Sequence, residues 1–489
     1  MTALSLDNLD EISKNVAKPN YKRSALKAGI VHFGIGNFHR AHQAVYLDEL
    51  FNQGLDHDWA IIGAGVTPYD EAMRAKLCEQ DYLTTIIEQD SHKSAAHITG
   101  AMIDFLDPQN HDNIIEALTN PDIRIVSMTI TEGGYFINEA TDSFDTNHPA
   151  IIADGRNPDH PKTVFGILIA GLKRRRAKGI APFTIVSCDN IPGNGHVAQN
   201  TVIGLAQLFD QELALWIKQD VAFPNSMVDR ITPATSAREI EYCRDTYGIN
   251  DKSPVFCEEF RQWVIEDNFT LGRPQLEAVG VTFVDDVAPY ELMKIRILNG
   301  GHAAIAYAGE LLDIHYVHEA MEEPLIAGYL RKLEQSEIIP CVPPVPNINL
   351  QDYLALIERR FSNPKIGDTI SRLAQDGSNR QPKFILPSIA DRLKDDQDVK
   401  GLALASALWC RYFEGTTDSG RKIIFNDDKA DQLHQAAVKA KNDPSVFLAM
   451  DDIYGRLAES ALFQRRFSEA LNSLYENGTR ATLNNYINS

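Results

Sequence analysis

Gly29-Ile-Val-His-Phe-Gly-Ile-Gly-Asn-Phe-His-Arg40 is the stretch from which the fold is read. Its first five residues are a short apolar run suited to a buried strand. A glycine turn follows, and then Ala41–Leu50, which has helical periodicity. Strand, glycine turn and helix in that order can cradle a phosphate. Gly34 permits the tight turn, Gly36 lets the backbone approach a pyrophosphate, and the helix N-terminus offers unpaired N–H donors. His39 stands where the GxGxxG pattern has its third glycine, and Arg40 beside it is suited to pairing with phosphate oxygens. A ligand-free turn has the same local pattern. His39 and His42 are three apart, as metal ligands are, but no third ligand is near and no metal is expected.

Working outward, Trp59–Val66 reads as a second strand, with Asp70 just beyond its end. An acidic side chain there holds adenosine ribose hydroxyls in a dinucleotide fold and repels a 2′-phosphate, favouring NAD over NADP. Capping of the helix Glu71–Glu79 is the equal alternative. Ile123–Ile130 is a further strand ending in Thr131-Glu132-Gly-Gly-Tyr135, and Phe183–Ser187 another, ending in Cys188-Asp-Asn190. Polar residues at the carboxyl ends of strands lie where open α/β sheets bind ligands, although Asn190 alone is an ordinary turn residue. Val197–Ile217 reads as one long helix, and Asp229-Arg230 as a structural ion pair. The strand–helix alternation fades after about residue 285. The remainder is mostly helical, with Gly377–Pro387 as a loop.

Tyr290–Tyr307 is the second informative stretch. No proline interrupts it, and it reads as a helix entering a break or kink at Gly300-Gly301. At about 100° per residue, Glu291, Asn299 and His302 share one side with Lys294, and Arg296 points away. The glycines would admit a substrate or cofactor ring close to the backbone. The alternative is a buried polar patch with Lys294 paired to Glu291.

A chain of 489 residues exceeds one core and divides naturally into two domains. The net charge of -20 argues against nucleic acid and anionic membranes as partners. Met1–Lys14 has three acidic side chains and no long apolar run, so no signal peptide is expected. Six scattered cysteines without CxxC spacing suggest reduced thiols and a cytoplasmic setting.

Five ordered motifs resemble the long-chain mannitol dehydrogenases, the polyol-specific dehydrogenase family: Phe33–Gln43, Thr129–Tyr135, Ser187–Asn190, Met227–Pro233 and Met293–His302. The resemblance implies an α/β Rossmann-type NAD-binding domain over 1–284, a mostly α-helical domain over 285–489, and an active site in the cleft between them. It implies that Gly34, Gly36, Asn37, Phe38, His39, Arg40, Asp70, Thr131 and Glu132 bind the cofactor. By the same resemblance Lys294 is the catalytic base, without metal, and Asn190 and Asn299 hold the reacting oxygen. His302 binds substrate, Asp229 is a polar partner near the lysine, and Arg372 and Lys383 contact substrate hydroxyls. Burial and a cationic nicotinamide would bring the lysine into a working range. The implied substrates are a small polyol and its ketose, D-mannitol and D-fructose first. D-arabinitol, D-sorbitol and D-fructuronate are the rivals, the last through Arg261–Asn268. A monomer or weak oligomer is implied.

Overall fold

The computed structural model describes residues 1–138 and 143–489. Its strands are β1 (Ala28–Phe33), β2 (Ala60–Ala64), β3 (Thr84–Gln89), β4 (Ser94–Thr99), β5 (Met102–Phe105), β6 (Ile125–Met128), β7 (Thr184–Ser187), β8 (Ser226–Asp229), β9 (Val255–Glu258), β10 (Gln262–Glu266) and β11 (Thr282–Val284), with short pairs besides. The apolar runs explain the central sheet, whose order is β7-β6-β1-β2-β5 with every neighbour parallel. Phe33 at the end of β1 lies opposite Ala64 on one side and Met128 on the other. Counted by the sheet's own strands, this is the doubly wound order 3-2-1-4-5. Its topological switch falls between β1 and β6, where such sheets bind ligands.

Both sheet faces are covered, which is why these strands are apolar almost throughout. Val31, Phe33, Val126, Met128 and Ile185 pack on one side in a core that includes the helices His111–Thr119, Val164–Ala177 and Asn194–Gln207. Ile30, Ile61, Ile125 and Val186 face the other side, with Tyr46, Leu47, Leu50 and Phe51 and with Trp263 and Ile265 of β10. Two three-stranded sheets, β8-β10-β11 and β9-β3-β4, complete this part.

The chain forms two compact units, Met1–Ala288 and Pro289–Ser489. The helices used below are α1 (Asn37–Ala41), α2 (Gln43–Asn52), α3 (Pro68–Cys78), α4 (Ala288–Met293), α5 (Gly300–Leu311), α6 (Pro324–Leu333), α7 (Leu350–Phe361), α8 (Ile370–Leu373), α9 (Gly377–Phe384) and α10 (Lys400–Tyr412). In the second unit α5 is central: every one of its residues except His302 is buried. Glycine and alanine occupy most of its surface, which lets α6, α8, α9 and α10 pack against it.

Four local readings differ from the structure. The helix after the glycine turn begins earlier, at Asn37, and is interrupted at His42, whose backbone (φ -123°, ψ -85°) leaves the helical region. Val197–Ile217 is divided between helices Asn194–Gln207 and Gln211–Asp220, because Asp210 caps the second through Leu213 N–H. Gly377–Pro387 is helical rather than a loop, with α9 followed by the helix Leu386–Lys394. Gly300 and Gly301 produce no break. The irregularity precedes them as a π-helical stretch over Lys294–Asn299, and Gly300 itself is helical (φ -62°, ψ -43°). A 100° wheel therefore does not carry across Lys294–Asn299, whose wider turns follow an i→i+5 pattern.

Candidate active site

The first unit supplies a turn at the carboxyl ends of β1 and β6. Gly34 has φ +90°, and a Cβ there would come within 2.1 Å of the Thr129 carbonyl oxygen. Only glycine meets both conditions. Thr129 Oγ1 ties the turn from the other side, donating to the Gly34 carbonyl at 2.7 Å. At Gly36 the situation is opposite, since nothing lies within 4 Å of the point a Cβ would occupy. Gly36 also caps α1 with no side-chain acceptor, leaving the first N–H groups of that turn unbonded by any cap. Open space over a glycine with free amides beside it fits a dinucleotide pyrophosphate.

Beyond the glycines the cofactor segment turns inward. Arg40 is 1% exposed, and its guanidinium donates to the carbonyls of Gly36 and Ser253, to Ser253 Oγ, and to Asn37 Oδ1 at 2.7 Å. In this arrangement Arg40 braces the loop instead of presenting its donors outward. Asn37 extends the brace, donating to the Pro233 carbonyl and Thr235 Oγ1. His39 is buried and stacked on His32 with ring centroids 3.5 Å apart. Burial, opposed by Gln43 and reinforced by the charge of Arg40, lowers its pKa to about 3, so the ring is neutral and no cationic phosphate ligand. It borders a cavity of about 30 Å³ lined also by Ile30, Gln43, Ile125 and Trp263. Phe38 stacks on His42. Imidazole His42 Nε2 is 2.8 Å from the Gln262 carbonyl, so the two histidines point to different partners. Among the described residues no group of three or more His, Cys, Asp or Glu side chains is placed to hold a metal ion.

Asp70 lies in α3, where it closes a capping box with Thr67. Its Oδ2 accepts from Val66 N–H (3.1 Å), Thr67 N–H (2.9 Å) and Thr67 Oγ1 (2.6 Å), and Oδ1 takes no part in that set. Tyr69 before it is exposed.

Sequence reasoning passed over Asp189. Its buried carboxylate accepts from the N–H groups of Ile130 (3.0 Å) and Thr131 (2.8 Å) and from the Tyr135 hydroxyl (2.7 Å). Burial raises its pKa against these hydrogen bonds. Asp189 thus holds the segment bearing Thr131 and Glu132 from the strand end next to Asn190. Thr131 sits at φ +64°, outside the ordinary regions for a β-branched residue. The one signal in the sequence is that Asp189 lies between Cys188 and Asn190 at a strand tip. Asn190 is exposed there, and its loop is pinned by Asn194, which donates to the carbonyls of Asp189 (3.0 Å) and Ser226 (2.7 Å). Asp229 ends β8, buried, opposite Gln262. Arg230, next to it, donates to the Glu88 carboxylate and to the carbonyls of Ala41 and Glu258.

In the second unit Lys294 opens the π-helical stretch, 7% exposed, and Asn299 closes it half-buried. Arg296 between them donates to Ser388 Oγ at 2.5 Å and Asp391 Oδ2 at 2.8 Å. The two glycines serve helix packing. A Cβ on Gly301 would meet Glu334 Oε1 at 3.2 Å and Leu330 at 3.3 Å, and one on Gly300 the Phe384 carbonyl at 3.3 Å. His302 stacks on Phe361, 3.9 Å between centroids and 12° between planes. Its Nε2 is shielded from solvent without a hydrogen-bond partner among the described residues. Burial lowers its pKa to about 3; Asp368 opposes that, and Arg372, Arg360 and Arg380 add to it. Arg372 is paired with Asp368, while Lys383 is exposed on α9.

Similarity to known proteins extends over almost the whole chain. The profile of the mannitol dehydrogenase Rossmann domain matches residues 28–278, and that of the mannitol dehydrogenase C-terminal domain matches 286–475. Mannitol 2-dehydrogenase of Cereibacter sphaeroides is 55% identical over 478 residues, covering 97% of this chain and 100% of that one. Among solved structures, the Pseudomonas fluorescens mannitol 2-dehydrogenase ternary complex with NAD and D-mannitol superposes with a TM-score of 0.88 at 40% identity, covering 100% of both chains. A D-sorbitol dehydrogenase in substrate-free form gives 0.92 at 34% identity, covering 98% of this chain and 100% of that one.

Proposed function

The chain belongs to the mannitol dehydrogenase family, and from that premise we propose that it is an NAD-dependent polyol dehydrogenase interconverting D-mannitol and D-fructose. The observation that carries the reading is full-length likeness to a mannitol 2-dehydrogenase seen with NAD and D-mannitol. The open approach over Gly36 supports the cofactor.

Oxidising a secondary alcohol removes a proton from the hydroxyl and a hydride from its carbon. Bound NAD supplies the hydride acceptor. Lys294 takes the hydroxyl proton in its neutral amine form; its burial withdraws the water that would otherwise hold the ammonium form. The side-chain amides of Asn190 and Asn299 donate to the oxygen as its negative charge develops, adding no net charge of their own. His302, neutral through burial, offers a hydrogen bond to a substrate hydroxyl instead of an ionic contact. In the reverse direction the Lys294 ammonium returns its proton to the ketone oxygen.

The direct test is NADH consumption, followed by absorbance, with D-fructose, D-xylulose and D-fructuronate. Fructose should be consumed fastest, and NADPH should serve poorly. Preference for fructuronate would move the assignment to hexuronates. Replacing Lys294 with Ala should lower kcat by roughly 10²–10⁴-fold with NADH affinity nearly intact; a variant within about tenfold of wild type would reject the lysine as base.

A further inference from the structure

Arg372 lies just before α9 in the last turn of α8, and its guanidinium is clamped by one carboxylate. Nε donates to Asp368 Oδ1 and Nη2 to Asp368 Oδ2, each at 2.5 Å, which leaves Nη1 outside the fork. Such a bidentate pair fixes the plane of the guanidinium. Asp368 is itself held on the backbone side. Its Oδ1 accepts from Thr369 N–H at 2.9 Å, and its carbonyl accepts from Val317 N–H at 3.0 Å. Its side chain is 10% exposed against 51% for Arg372.

The same carboxylate bears on His302. Asp368 is the acidic group acting on that imidazole, and Arg372, Arg360 and Arg380 are the basic ones. Burial works against ionisation of Asp368, but the hydrogen bonds and charge of Arg372 outweigh it, with Thr369 N–H adding to them, so the carboxyl stays below its usual range. Arg380 is partly engaged with the Leu373 carbonyl.

We propose that Asp368 is a positioning and specificity-determining residue: it aims Arg372 and cancels its charge, so that His302 and Arg372 receive neutral sugar hydroxyls and discriminate against a sugar carboxylate. This rests on the assignment of His302 and Arg372 to substrate binding. An arginine whose charge is compensated still donates hydrogen bonds through Nη1, but it offers an anionic substrate little net attraction. A carboxylate-bearing ketose would also bring a second anion close to Asp368.

The test compares D-fructose with D-fructuronate, a neutral ketose with one whose terminal carbon is a carboxylate, in wild type and D368N with NADH. Asparagine keeps an acceptor for Thr369 N–H and for the guanidinium while removing the charge. The expected result is a KM for fructose raised several-fold, kcat changed less than about threefold, and the fructuronate-to-fructose ratio of kcat/KM raised roughly tenfold or more. Should D368N give no folded protein, D368S removes the same charge with less bulk and is read in the same way. An unchanged ratio in an enzyme that reduces fructose overturns this inference alone. Equal losses of kcat on both sugars overturn it too, because they indicate a structural role. A wild type that reduces neither sugar overturns the function proposed above, and this inference with it.

Discussion

Glu334 carries a charge problem that no neighbour relieves. It is fully buried at the start of the π-helical stretch after α6, and neither carboxyl oxygen has a hydrogen-bond partner among the described residues. Burial, and after it the charge of Glu358, raise its pKa well above the ordinary glutamate value. An acid raised in this way holds its proton more tightly when folded, so its favourable contribution is complete below the unfolded value of about 4.3. It is lost at about 1.4 kcal/mol per pH unit as pH climbs towards the folded value. Glu334→Gln keeps the shape and removes the titration. Urea-derived stabilities of wild type and variant should nearly coincide at about pH 4.3, with the variant ahead by a margin that grows as pH rises above it. A difference that stays constant with pH would mean that Glu334 is not the buried neutral acid described here. At this scale the sequence was only partly legible. Lys294, Asn299 and His302 stood out by type and spacing. Asp189 and Asp368 did not, because their partners, such as Ile130 N–H for the one and the Arg372 guanidinium for the other, are set by the fold and not by residue type.

The N-terminus of α3 shows two roles meeting in one element. Thr67 Oγ1 accepts from Asp70 N–H at 3.2 Å, and Asp70 Oδ2 returns the bond to the N-cap. Thr67→Ala should therefore cost about 1 kcal/mol and leave the preference for NADH over NADPH unchanged. Asp70→Ala removes the other half of the box and should cost a similar amount. If Asp70 also meets the ribose, the first of the two readings its position allows, only this variant should raise NADPH-dependent activity relative to NADH. Thermal melts read the first effect and paired initial rates the second; equal cofactor ratios in both variants would assign Asp70 to capping alone. Elements were legible wherever composition alone specifies them. The apolar runs became β1, β2, β6 and β7, and the Thr67-Pro-Tyr-Asp70 sequence became a cap. The π-helical stretch at Lys294–Asn299 was not legible, because Lys-Ile-Arg-Ile-Leu-Asn suits an ordinary helix equally well. Its tertiary partners, such as Ser388 and Asp391 bonded by Arg296, lie some ninety residues further along the chain. The glycines misled for the same reason, since only the neighbours Leu330, Glu334 and Phe384 reveal what their missing side chains make room for.

Across the whole molecule, the layer order follows from the alternation of strands and helices and its loss after about residue 285, which is why the fold class was readable before any contact was known. The charge of -20 sets a different, long-range condition. A dinucleotide carrying two phosphates approaches a protein of the same sign, and Arg40, the cation in the glycine-turn segment itself, is turned inward to Ser253 and Asn37. If the uncapped N-terminus of α1 beyond Gly36 holds the phosphates, as the cofactor assignment expects, it does so against an unfavourable field. That field is a screened quantity, with a Debye length of about 30 Å at 0.01 M salt and about 8 Å at 0.15 M. The repulsion is on the order of 1 kcal/mol at low salt and negligible at physiological salt. NADH binding should accordingly tighten, by roughly two- to tenfold, as potassium chloride is raised from about 0.01 to about 0.15 M at mildly alkaline pH. This is the reverse of the weakening seen when surface lysines and arginines hold phosphate. Titration of NADH fluorescence at the two salt concentrations measures it. Weaker binding at the higher salt would show that cations near the turn outweigh the net charge, and Arg40 would then have to turn outward to meet the pyrophosphate.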